Sequence, residues 1–157
     1  MSNDICGYLL PPLNAEELRN LNGYAKLQKI GIAQIKKEEL YNFPNELIPT
    51  SDCYAFLISD RPHYPNASYL IDYLDYAPEA DIGFPVEGKA RLNILLDVLS
   101  NIFSITNAQK MLVALTECSQ IETIKKIKLC ELYDVIHKDF ELYQGPPDTL
   151  YEIISHN

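Results

Sequence analysis

A chain of 157 residues that is 47 % hydrophobic and 10 % aromatic can build a core, which excludes wholesale disorder and suits one domain. Its 22 acids against 13 Lys and Arg leave a net charge of −9, which disfavours nucleic acid and anionic lipid as direct partners, because neutralising phosphate needs a cationic surface. No apolar run approaches the ~20 residues of a membrane span, and MSNDICGYLLPPLN carries Asp4 where a signal peptide has a basic region, so a cytosolic protein is expected.

In chain order, NAEELRNL (14–21) opens on a capping Asn followed by acids, the signature of a short helix. KLQKIGIAQI (26–35) alternates partially and reads as a strand. KKEELYNF (36–43) reads as one or two helical turns ended by Pro44, and CYAFLIS (53–59) as a buried strand before the loop RPHYPN. In SYLIDYLDY (68–76) a strand is preferred over a short helix, because tyrosine and isoleucine favour a pleated surface. APEADIGFPVEG (77–88) is a loop on either reading.

The clearest element spans 89–103, where Leu92, Leu95, Leu96, Leu99, Ile102 and Phe103 form the apolar stripe of a helix. KMLVALT (110–116) fits a buried strand or a helix. Ser119 and Glu122 have capping-box spacing, but the β-branched Ile121, Ile124 and Ile127 leave strand and helix both open up to residue 128. ELYDVIHKDF (131–140) reads as a helix, and TLYEII (149–154) as a last, edge strand after GPP. Neither a repeat nor a linker divides the chain. The fold class is therefore α+β: residues 1–157 form one domain with a modest, mostly antiparallel sheet and helices packed on it.

Chemical signatures are sparse. The six glycines form neither a dinucleotide nor a P-loop fingerprint, and G-x-S-x-G is absent. Cys6, Cys53, Cys118 and Cys130 lack C-x-x-C spacing and read as reduced, mostly buried thiols. His63, His137 and His156 show no metal-ligand spacing. Asp72, Asp75, Glu79 and Asp81 lack the EF-hand order. No catalytic group, metal or cofactor is expected, although a small metal-dependent or hydrolytic enzyme using Asp72, Asp75, Glu79 and His63 is the rival reading. It requires those side chains to converge in a cleft. A structural adaptor, with a large apolar patch, is the third.

Charge distribution is more telling. Residues 62–88 hold five acids and no Lys or Arg, and residues 129–157 hold six acids against Lys138. The intervening 89–128 carries a net +3, with KKIK (125–128) its only basic cluster. In the first region Tyr69, Tyr73 and Tyr76 alternate with Asp72, Asp75, Glu79 and Asp81. Tyrosine buries much area at low entropic cost, and carboxylates accept bidentate bonds from arginine and speed encounter with a cation. These seven residues are the candidate partner-binding surface, and a basic protein is the partner they suit. In the second region one reading has Pro146 and Pro147 present Asp148 and Tyr151 rigidly, and the preferred one is a turn leading into an edge strand.

Two stretches, SYLIDYLDYAPEAD and ELYQGPPDTLYEII, resemble the small acidic immunity proteins of bacterial toxin systems, including those of contact-dependent growth inhibition. The resemblance implies tight one-to-one binding of a cognate toxin domain, often a basic nuclease, whose phosphate-binding cleft the acids would cover. Sequence alone does not choose between the two acidic regions as the interface.

Overall fold

The computed structural model describes residues 4–64, 66–78 and 83–155. Six strands form one mixed sheet: β1 (Ile5–Leu10), β2 (Gly31–Ile35), β3 (Tyr54–Ser59), β4 (Lys110–Leu115), β5 (Thr123–Lys128) and β6 (Thr149–Ile154). Their order across the sheet is β2-β3-β1-β4-β6-β5, and every pair is antiparallel except β5 with β6. The α+β reading of the sequence is what the chain adopts. Because β1 lies between β3 and β4, the two halves of the chain share a single sheet.

The helices are α1 (Ala15–Lys26), the single turn α2 (Ser68–Ile71), α3 (Gly88–Ile105) and α4 (Leu132–Tyr143). None is long and apolar enough to cross a membrane, among the described residues. α1 starts where its sequence says: Asn14 Oδ1 accepts from Glu17 N at 2.8 Å while Glu17 Oε1 accepts from Asn14 N at 3.0 Å. It runs to Lys26, so the strand expected over 26–35 keeps only its second half.

The stripe of α3 is buried as expected. It meets the sheet through Ile5, Phe56, Val113 and Tyr151, which point to the helical face by strand alternation. β4 is buried from Met111 to Leu115 because a central strand covered on both faces needs apolar residues at every position. That resolves KMLVALT as a strand. Residues 123–128 are also a strand, with Lys125, Lys126 and Lys128 along an edge that charge protects from further pairing. β6 is internal, not the edge strand expected, since β5 pairs outside it after the crossover through α4.

The opposite face is covered by the long β2–β3 connection. Its Leu40 and Phe43 sit on Tyr8, Ala55, Leu112 and Leu150, and the Tyr8 hydroxyl donates to the Leu47 carbonyl. β1 has no counterpart among the expected elements. Its ICGYLL run is short and broken by Gly7, which is required there: a Cβ would lie 2.2 Å from the Leu112 carbonyl oxygen.

One charged cluster ties α4 to the sheet. Asp139, 8 % exposed, accepts from Lys125 Nζ at 2.8 and 2.9 Å and from the Tyr151 hydroxyl at 2.7 Å. Burial, and the carboxylate it faces, hold the Tyr151 phenol protonated far above its usual range. Asp139→Asn keeps the shape but leaves Lys125 without a counter-charge. It should lower unfolding free energy by about 2 kcal/mol in urea titration, and a loss under ~0.5 kcal/mol would show that the cluster is solvated.

Candidate acidic groove

The segment between β3 and α3 is organised by two charged side chains that the acidic run itself does not contain. Asp60, 1 % exposed, directly follows β3 and accepts from the backbone N–H of Tyr69 and of Leu70, both at 3.2 Å, which fixes the start of α2. Arg91, fully buried, reaches back from the first turn of α3. Its Nε donates to the Tyr69 carbonyl at 3.0 Å, and its two terminal nitrogens donate to the carbonyls of Asp72, Leu74, Tyr76, Pro85 and Val86 at 2.5 to 3.3 Å. Its guanidinium also lies 4.6 Å from the Tyr76 ring centroid. A buried charge must be satisfied, and here main-chain oxygens satisfy it.

This arrangement corrects the strand expected over 68–76. Carbonyls committed to Arg91 and amides committed to Asp60 are lost to a sheet ladder, so the chain makes one helical turn and then an irregular loop. α3 begins against that loop so closely that a Cβ on Gly88 would lie 2.2 Å from the Tyr73 carbonyl oxygen.

The expected site residues separate accordingly. Tyr73 belongs to the core at 8 % exposure, its ring 5.8 Å from that of Phe140, so it is no surface tyrosine. Its hydroxyl lies 3.5 Å from His137 Nδ1, and His137 Nε2 is 2.6 Å from Asn93 Oδ1. Tyr69 and Tyr76 are half-buried neighbours with ring centroids 6.0 Å apart. Burial above all, then the charge of Asp72, raises the Tyr76 phenol to about 12. Asp72 Oδ1 accepts from Leu74 N at 3.1 Å, and exposed Asp75 accepts from Gly88 N at 2.9 Å, capping α3. Glu79 and Asp81 lie outside the described residues. In the second acidic region Tyr151 is buried, and Asp148 holds the Glu117 N–H at 2.8 Å. The prolines therefore lead into a strand, the preferred reading, and do not present Asp148 and Tyr151 as a contact surface.

What the fold does bring together are carboxylates from both acidic regions. Asp75 and Glu87 face Glu141 of α4 across an open groove of about 680 Å³, whose wall also carries Leu74, Lys89 and Asn93. No ion pair engages Asp72, Asp75, Glu87 or Glu141 among the described residues. Leu74, 58 % exposed, supplies an apolar contact beside these charges. Glu87, Glu141 and Arg91 were not among the candidates from sequence. Arg91 had a signal, standing one helical turn before Leu95 on the apolar stripe, where a cation survives only if satisfied internally.

His63 is remote from this groove: it lines a separate depression with Ile30, Ile32 and Tyr64. Among the described residues no cluster of His, Cys, Asp and Glu could hold a metal ion. All four cysteines are free, but Cys118 and Cys130 are exposed, contrary to the mostly buried thiols expected. Comparison of the chain with models of known families, with curated proteins and with solved structures finds no match.

The Asp60 clamp makes the segment pH-sensitive. Burial raises its carboxyl from the usual value to about 6, outweighing the amides that favour the anion. A folded-state pKa above the unfolded one means that the native state holds the extra proton. The stabilisation this proton gives is therefore complete below pH ~4 and lost as pH rises through 6, by up to about 3 kcal/mol. The stability difference between wild type and Asp60→Asn should shrink by that order between those pH values. A difference independent of pH would mean that Asp60 titrates alike in both states.

Proposed function

We propose that this protein is an inhibitory binding protein, an immunity protein that neutralises a toxin by docking the acidic groove on a basic toxin domain, a nuclease being the chemistry it best suits. The supporting observation is that Asp75, Glu87 and Glu141 converge on one groove whose lining holds a single Lys, Lys89, and none of the three is ion-paired among the described residues, while Arg91 fixes the backbone next to Asp75 and Glu87. Preorganised acceptors of this kind cost little to order when a lysine or arginine arrives. The protein then acts by occupying a phosphate-binding surface and not by chemistry of its own. Tyr69 and Tyr76, half-buried beside Arg91, contribute contact area at the margin.

The test is neutralisation by a defined pair. A neighbouring gene should encode a basic toxin domain; co-production with that domain should restore growth, and the purified pair should form a one-to-one complex whose affinity falls steeply as salt is raised. Continued toxicity, or an affinity indifferent to salt, would refute the proposal.

A further inference from the structure

The two edges of the sheet are unlike. β5 carries Lys125, Lys126 and Lys128, whereas β2, GIAQI, holds no charged residue. Lysines along a free edge discourage further pairing, and without them β2 stays open to it. Beyond its ladder with β3, β2 makes no backbone hydrogen bond among the described residues.

An open trough of about 700 Å³ runs beside this edge. Ile30, Ile32, Ala33 and Leu57 give it apolar walls. Gly31 and Ala33 share the face opposite the helices with Leu57, and being small they leave Leu57 within reach from beyond the edge. The remaining wall is the loop after β3, which is held in place: the Tyr64 N–H donates to the Arg61 carbonyl at 3.3 Å and the Asp60 N–H to the Asn66 carbonyl at 2.8 Å. Because Gly31 pairs with Ser59, this loop and Lys26, at the end of α1, adjoin the Gly31 end of the strand.

Charge selects the occupant. Acids outnumber Lys and Arg by 22 to 13 in the chain, yet the described lining of the trough holds Lys26 and His63 and neither Asp nor Glu. Lys26 is exposed and makes no ion pair among the described residues. Two copies of the chain, each at −9, repel one another, which favours a different protein at this edge.

We propose that β2 accepts a seventh strand from another protein, an extended segment with alternating apolar side chains that ends on a carboxylate. Antiparallel pairing, which four of the five pairs in the sheet adopt, places the C-terminal end of that segment beside Gly31, where Lys26 and His63 stand. The main chain supplies affinity, the trough takes alternate side chains, and the lysine sets the direction of the segment. This surface shares no lining residue with the acidic groove and serves a partner of opposite charge.

The probe is the heptapeptide SVTVTVD, acetylated and amidated, titrated into the full chain by amide chemical shifts and calorimetry. The controls are SVTVTVK, and SVTVTVD N-methylated at two neighbouring central residues, one of whose N–H groups must face β2. One-to-one binding is expected, with shifts centred on Gly31–Ile35 and Tyr64, and at least ~10-fold weaker binding of each control. Lys26→Glu, at an exposed helix end, should reverse the preference and make SVTVTVK the tighter peptide. Sedimentation should show the free chain as a monomer at the concentrations used. No binding, equal binding of either control, shifts centred on β5, or a preference unmoved by Lys26→Glu would overturn the proposal, as would a dimer joined through β2.

Discussion

Arg91→Ala should lower unfolding free energy by about 4 kcal/mol or more, the largest stability loss expected of any single substitution in this chain. The wild-type guanidinium, fully buried, bonds to six main-chain carbonyls between Tyr69 and Val86. Truncation takes the guanidinium donors from those oxygens, of which Val86 O keeps the Tyr76 N–H at 3.1 Å, and opens a cavity beneath the Tyr76 ring. Arg91→Lys should be nearly as damaging despite its retained charge. An ammonium has three donors at a single point, whereas these carbonyls are arranged around a planar fork. The same variants should free the backbone of Asp72–Tyr76 and of Val86, so these amide protons should exchange faster than those of β4 even under conditions where most molecules remain folded. A loss below ~1.5 kcal/mol for Arg91→Ala would mean that water replaces the guanidinium readily and that the loop needs no internal cation.

Arg91 also shows where sequence reasoning reaches and where it stops. Helix α3 was legible because its stripe repeats every three to four residues over four turns, a signal that tertiary contacts did not have to supply. β3 and β6 were legible from short apolar runs between turn residues. The α+β class followed from those elements. SYLIDYLDY went the other way because its conformation is decided by partners distant in sequence: Asp60 takes its amides and Arg91 its carbonyls. Local preference for a strand cannot compete with a buried charge that needs those same groups. The candidate site was half legible for a related reason. Composition located the acids of 62–88 and of 129–157, but only the packing of α4 beside α3 puts Glu141 opposite Asp75 and Glu87. Tyr73 looked like its neighbours in sequence and differs only because the turn after α2 directs it onto Phe140.

Glu87→Lys combined with Glu141→Lys should weaken binding of the proposed basic partner at least ~1,000-fold, about 4 kcal/mol, while leaving thermal unfolding nearly unchanged. These two are cleaner than Asp72 and Asp75, whose carboxylates accept backbone N–H groups and whose reversal would also remove turn and cap bonds. Glu87 and Glu141 are exposed, and no side-chain bond of either is present among the described residues. Glu87 is the N-cap residue of α3, where lysine costs about 0.5 kcal/mol against the helix dipole, an amount of the order that the Glu141 reversal returns. Glu141 is the more revealing. It stands in the last turn of α4, which carries no basic residue, and there the helix dipole disfavours an anion. Lysine at that position should stabilise the free protein by a few tenths of a kcal/mol. The control is Asp52→Lys with Glu122→Lys, which changes the net charge of −9 equally at exposed sites that do not line the groove. It should slow association modestly and spare the dissociation rate, because distant charge steers encounter without touching the bound pair. If both doubles weakened binding alike, the attraction would come from the protein's overall field and the groove would not be the dock.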